Sequence, residues 1–286
     1  AENLSVEHSY RLFAVKELLS VYGKERTESI IKAENKKTCL AFYDVSGEEY
    51  LKGKEVEFEK TPFNNVFLTE RFVRNADYDK GTYTFQAIGS VAICDMIEPC
   101  DKLLDCCAAP GGKSVRLSYK CGEVTSCDVY EHRVNLISEY ADRMNRKNIT
   151  PLLSDATERE ERFIEKFDAV LCDAPCSGMG VVSDNPDIKL NRTENDLNEL
   201  NALQKKILKN VSAYVKKGGY LYYSTCSVLD RENISIIKSF MSDVKGFELC
   251  DADSELPHEK KDGTICFLPD ISGGNGFYFA KLKRVF

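Results

Sequence analysis

Apolar residues along the chain follow two different periods. Within residues 5–22, Tyr10, Phe13, Leu18, Val21 and Tyr22 recur among charged neighbours at helical spacing, which predicts a helix stopped by Gly23. A second charged helical stretch leads into TCLAFYDV (38–45), VEFEK (56–60) and NVFLTE (65–70), short runs rich in aromatic and β-branched residues, with Gly, Pro and Asn between them. These predict a small α+β unit over residues 1–80. From Lys102 onward short apolar runs alternate with longer helical patterns, the mark of a parallel sheet wound with helices. The predicted strands are KLLDCCAA, EVTSCDV, ITPLLSD, FDAVLCDAP, GYLYYSTCS and FELCDAD. The clearest helices are 130–146 and 197–215, the second closed by Gly218-Gly219. FYFAKLKRV alternates and is expected to join the sheet edge antiparallel. An α/β, doubly wound fold is therefore predicted for residues 81–286, with its ligand outside the carboxyl ends of the strands.

Composition narrows the setting. A chain of 286 residues, 43% hydrophobic and 30% charged, is that of an ordinary globular protein. No apolar run approaches the roughly 18 residues that span a bilayer, and AENLSVEHSYRLF lacks the order of a secretory signal, so a cytoplasmic protein without membrane contact is expected. The 12 cysteines are scattered with no C-x-x-C, which reads as reduced thiols. His8, His132 and His258 are isolated, so no metal is expected. A net charge of −7 requires any nucleic-acid contact to use a local basic patch, with candidates in the N-terminal unit and around Lys189 and Arg192.

The chemistry concentrates at strand ends. AAPGGKS (108–114) follows the first strand of the wound sheet and opens a helix, where the backbone can approach a cofactor closely. A phosphate-binding P-loop needs Gly five residues before Gly112, but Cys107 stands there, and G-x-G-x-x-G is absent. Asp128, Asp155 and Asp173 are read as ending three successive strands, an acidic edge that suits a cationic nucleoside such as S-adenosylmethionine. Taken singly, each could merely start a turn or cap a helix. Two cysteines also stand where the chain leaves a strand, Cys176 in DAPCSG and Cys226 in YSTCS. A thiolate adding to C6 of cytosine makes C5 nucleophilic enough to accept a methyl group, which is covalent catalysis of a familiar kind. Cys94, Cys172 and Cys250 read as small buried hydrophobes. Pattern alone leaves open which of Cys176 and Cys226 acts.

LLDCCAAPGGKS, DAPCSGMGVVSDNPDIK and LYYSTCS together resemble the RNA 5-methylcytosine methyltransferases of the Nop2/Sun class, strongly over residues 80–286 and weakly over 5–80. NPDIK, LQKKIL and GGNGFYFAKL are most similar to the bacterial Sun type, which methylates 16S ribosomal RNA. The resemblance implies a Rossmann-like methyltransferase domain behind a small RRM-like domain, acting on RNA as a monomer. It implies that Cys107, Ala108, Ala109, Pro110, Gly111, Gly112 and Lys113 line the S-adenosylmethionine site. Asp128 would hold the ribose, Asp155 lie by the adenine and Asp173 sit between cofactor and base. It further implies Cys226 as nucleophile, Cys176 in release of the adduct, and Lys113 near the reacting base. The chain departs from the pattern at Gln86-Ala87, where Gln-Asp is common, and at Gly273-Gly274-Asn275-Gly276, where Gly-Gly-Asp-Gly is usual. It also carries no counterpart of the NusB-like domain usual in the Sun type. Phe42, Tyr43, Phe58 and Phe67 read as core rather than as base-stacking residues. The competing functions are methylation of transfer RNA or another ribosomal RNA, and a non-catalytic RNA-binding or assembly role on the same fold. DNA cytosine and amino-group methylation fit the two-cysteine pattern less well.

Overall fold

The computed structural model describes residues 1–70 and 72–286. Two sheets form. The smaller has strand order β2-β3-β1-β4, from β1 (Thr38–Phe42), β2 (Glu59–Lys60), β3 (Val66–Thr69) and β4 (Tyr83–Phe85). Side chains alternate across β1 as a strand requires. Leu40 and Phe42 pack with Leu51, Phe67 and Tyr83 in a core belonging to the small sheet. Cys39 and Ala41 face the other way, into a core shared with the large sheet. The fourth strand lies a few residues past position 80.

The large sheet contains β5 (Lys102–Asp105), β6 (Glu123–Asp128), β7 (Ile149–Leu153), β8 (Phe167–Asp173), β9 (Val215–Thr225), β10 (Phe247–Cys250), β11 (Glu259–Lys261), β12 (Thr264–Phe267) and β13 (Phe277–Arg284). Its order is β11-β12-β13-β9-β8-β5-β6-β7, with β10 also on β13. β5 through β9 are parallel, and the order reverses between β5 and β8. The doubly wound α/β fold is thus present, with the crevice at this reversal as its expected ligand position. Period-two alternation supplies both buried faces: Val170, Cys172, Leu221 and Tyr223 line one, Ala169, Leu171, Tyr222 and Phe279 the other.

Several sequence expectations shift. The predicted first helix is broken into Glu2–Glu7 and Leu12–Lys32, and Gly23, at φ 71°, kinks the second piece without ending it. Ala14, Val15 and Leu18 of that helix share the core of the large sheet rather than that of the small one. The helix expected at 197–215 runs over Glu194–Ser212, because Thr193 and Asp196 form a capping box ahead of it. Gly218-Gly219 does not close that helix. It lies within β9 where the register with β8 slips, and Gly218 takes φ 83°. β13 is antiparallel as expected but is no edge: β9 covers one side, and β12 and β10 divide the other. FELCDAD accordingly pairs antiparallel instead of extending the parallel set. The hairpin β11–β12 carries no strong signal in the sequence. No helix among the described residues is long and apolar enough to cross a membrane.

Candidate active site

At the reversal point β5 ends in Asp105 and the chain turns through Cys106 to Gly111 into the helix Gly112–Leu117. The loop is pinned by backbone. The Ala108 amide donates to Cys127 O at 2.8 Å, and the Gly111 amide to Ala108 O at 2.8 Å. Gly111 takes φ 109°, open to glycine and strained for other residues, so the loop needs glycine there. The Ala109–Pro110 peptide is cis. Cys107 is half-buried, and its neighbour Cys106 followed by burial pushes its thiol well above the ordinary value. It therefore lines the loop as a neutral group.

Lys113, on the first turn of that helix, reaches across to the end of β8. Its Nζ donates to Asp173 Oδ2 at 2.7 Å, and Ser224 Oγ of β9 donates to Asp173 Oδ1 at 2.6 Å. Burial favours the neutral amine, but Asp173 outweighs it together with nearby thiols, and the ammonium is held above its ordinary value. The parallel register that sets Asp173 opposite Ser224 builds this contact from three strands' ends.

The two cysteine loops meet beside it. Cys176 Sγ and Cys226 Sγ lie 3.1 Å apart although 50 residues separate them in sequence. Both are half-buried. The contact drives the pair apart in acidity: the Cys176 thiol is raised well above its usual value, while its hydrogen bond lowers Cys226 against the opposing effect of burial. Lys113 also favours the Cys226 thiolate. The 3.1 Å contact is itself symmetric, and what distinguishes the two thiols is the Lys113 ammonium, whose field acts on Cys226.

Asp128 ends β6 and is 3% exposed. Its Oδ1 accepts from the Tyr130 amide at 3.3 Å, and its Oδ2 lies 3.4 Å from Arg133 Nη2, which also donates to Ala109 O. Asp155 differs from expectation, because β7 ends at Leu153. Asp155 is exposed two residues beyond, where its Oδ1 accepts from the Thr157 amide at 2.8 Å as part of a turn. Lys189 Nζ donates to His8 O, beside the N-terminal helices, and Arg192 Nε donates to Ser177 O, in the loop that follows Cys176. Phe42 and Phe67 are core, and Tyr43 stacks on Tyr119 with ring centroids 4.2 Å apart. A cavity of about 530 Å³ lies between the N-terminal helices and residues 179–189, meeting the site at Gly180, whose amide donates to Cys226 O. No group of three or more His, Cys, Asp or Glu suited to a metal occurs among the described residues.

Sequence reading passed over Asp105 and Ser224. Asp105 is fully buried; it accepts from Ser114 Oγ at 2.7 Å, and its Oδ1 has no partner among the described residues. Its position at the end of the first wound strand was the available signal. Burial raises its carboxyl to about 7, with the Ser114 hydrogen bond acting in the opposite direction. The unfolded chain releases this proton near ~3.9, so the native state holds it over the intervening range. This contribution to stability is complete below the unfolded value, declines as pH rises, and is lost above about 7. Urea unfolding between about pH 5 and about pH 8 should therefore show wild type losing stability relative to Asp105→Asn. A difference independent of pH would refute the assignment.

Comparison with known proteins follows the same lines. The family model for 16S rRNA methyltransferase RsmB/F matches residues 95–283. A relative in Bacillus subtilis (strain 168), named "Probable ribosomal RNA small subunit methyltransferase B", is 31% identical over 98% of this chain and 68% of its own length. Ribosomal RNA small subunit methyltransferase B of Photorhabdus laumondii is 34% identical over 72% of this chain, which spans 48% of that protein. The crystal structure of PH0851 superposes with a TM-score of 0.91 at 25% identity, covering 99% of this chain and 68% of that one. NSun6 from Pyrococcus horikoshii with SFG gives 0.88 over 98% of this chain and 99% of that one; at 17% identity it is a likeness of fold alone.

Proposed function

The chain belongs to the 16S rRNA methyltransferase RsmB/F family, and from that premise we propose that it methylates carbon 5 of a cytosine in RNA, most readily 16S ribosomal RNA, through a covalent bond from Cys226 to C6. The observation that carries this reading is the contact of two thiols at 3.1 Å, with the Cys226 thiol lowered and in the field of Lys113, which is paired with Asp173. The family uses S-adenosylmethionine, which supplies a methyl group on a sulfonium. The residues at the reversal point suit it: a glycine-bearing loop that exposes backbone, and the acidic Asp128 and Asp173 at the ends of the two strands that flank β5. Residues 107–113 would line it, Asp128 would accept from the ribose hydroxyls once Arg133 swings aside, and Asp155 would lie by the adenine. The small N-terminal unit, taken as residues 1–80, would contribute to RNA contact. Transfer of a radiolabelled methyl group to RNA lacking the modification, followed by mapping of 5-methylcytosine, tests the activity directly.

Cofactor affinity gives a more local test. A carboxylate accepting from two hydroxyls forms charge-assisted hydrogen bonds, so Asp128→Ala should lose about 3 kcal/mol, roughly a hundredfold, in S-adenosylmethionine binding. Unchanged calorimetric affinity in the folded variant would move the ribose elsewhere. RNA affinity should fall with salt in spite of the net charge of −7, with log K dropping by about 0.7 per phosphate neutralised on a single strand for each tenfold rise in salt. Lys189 and Arg192 donate to backbone carbonyls and form no ion pair among the described residues, so no carboxylate offsets their charge toward a phosphate. An affinity indifferent to salt, measured by filter binding, would remove this patch from the reading.

A further inference from the structure

Behind the two cysteines lies a carboxylate that touches neither. Glu232, from a short 3-10 turn after β9, is fully buried. Its oxygens accept from the Ser177 amide at 2.7 Å, Ser177 Oγ at 2.5 Å, Ser227 Oγ at 2.5 Å and Gln204 Nε2 at 3.2 Å. Ser177 follows Cys176 and Ser227 follows Cys226, so one side chain ties together the two loops that carry the thiols. Gln204, also fully buried, adds a second tie by donating to Pro175 O at 2.9 Å, on the other side of Cys176. Glu232 is itself anchored, because Tyr223 Oη donates to its carbonyl at 2.6 Å. The next residue, Asn233, braces the Cys226 loop alone, accepting from Thr225 Oγ1 and donating to Ser227 O.

A carboxyl group is costly to bury, and all of its hydrogen-bond partners here are neutral. Such a group persists where its geometry is needed. A Gln in its place would present an amide NH2 where one oxygen now accepts from both the Ser177 and Ser227 hydroxyls, and an apolar side chain would leave the Ser177 amide and Gln204 unpaired. We propose that Glu232 is a positioning residue for the thiol pair, holding the Cys176 and Cys226 loops in register so that the two sulfurs stay in contact. It acts through Ser177 and Ser227 and does not reach substrate. The role rests on the reading of the two cysteines as the reacting pair, but the positioning can be measured without any methyl transfer.

The probe is diamide, which takes up two electrons and two protons as two thiols join into a disulfide. In the full chain it should cross-link Cys176 to Cys226 rapidly, as mapped by mass spectrometry. A displacement of about 1 Å can slow a reaction between held groups by a factor on the order of 10², so Glu232→Gln should slow this cross-link by at least about tenfold. Alkylation of half-buried Cys250 should keep its wild-type rate. Methyl transfer should lose kcat with KM for S-adenosylmethionine unchanged. Ser177→Ala and Ser227→Ala each remove a single arm and should slow the cross-link less; they carry the test if Glu232→Gln does not fold. Wild-type cross-linking rates in the folded variants, whatever their melting temperatures, would overturn the proposal. Slowed cross-linking in a chain with no methyl transfer would leave the positioning intact and refute the proposed function instead.

Discussion

Cys226→Ala should abolish methyl transfer and every covalent complex with RNA, whereas Cys176→Ala should accumulate such a complex. In the proposed cycle the Cys226 thiolate adds to C6, a proton is delivered to N3, and C5 takes the methyl group. The C5 proton is then taken by a base, the C6–S bond breaks to return the thiolate, and the N3 proton is given back, leaving neutral 5-methylcytosine. Cys176, whose thiol hydrogen-bonds Cys226, is the group at hand to assist that second half. Removing it leaves the first half able to proceed, so protein should become trapped on RNA. Denaturing gels after incubation with RNA and S-adenosylmethionine report the difference as a band resistant to denaturant. An adduct from Cys226→Ala, with none from Cys176→Ala, would reverse the two roles. The Lys113 ammonium argues for the stated order, since its field favours a thiolate at Cys226.

Asp173→Asn should lower kcat by about 10² to 10⁴, the usual range for loss of a group that handles a proton in the transition state. Thiolate addition pushes electron density onto the pyrimidine ring, and the structure gives Asp173 hydrogen bonds from Lys113 on one oxygen and from Ser224 on the other. Those two contacts aim the carboxyl and leave little freedom to replace it. Both formation of the Cys226 adduct and overall turnover should fall together, because the group acts in the first half of the cycle. The substitution also leaves the Lys113 ammonium without its counter-charge in a place where it is 12% exposed, so melting and S-adenosylmethionine binding must be measured alongside. A folded variant that binds cofactor and turns over within about threefold of wild type would remove Asp173 from the proton pathway.

The local arrangement of charge and burial also explains why the salt and cofactor tests probe different surfaces. Asp128 is nearly buried behind Arg133, on the β6 side of the reversal point. Arg192 lies against the loop after Cys176, and Lys189 lines the cavity walled by the N-terminal helices, where it donates to His8 O. A variant at either place should leave the other measurement unchanged.

The sequence by itself determined the wound sheet and the chemistry-bearing segments. Period-two alternation in FDAVLCDAP and GYLYYSTCS, and the loop AAPGGKS at a strand-to-helix junction, are local patterns, because strand faces and tight turns are fixed by residues within a few positions of each other. Local signals failed where a distant partner decided the outcome. Gly218-Gly219 looks like a helix stop, but Thr193 and Asp196 set the helix ahead of it, and pairing with β8 draws the glycines into β9. β13 reads as an edge strand because nothing near it in sequence reveals that β10 and β12 pack along its far side. The same holds at the site. Cys176 and Cys226 are equivalent in local texture and become different only when the chain folds, across a separation of 50 positions, to put one sulfur 3.1 Å from the other, beside Lys113. Glu232 carries no motif at all, since a buried carboxylate acquires its meaning from the donors that surround it, and those come from three separate stretches of chain.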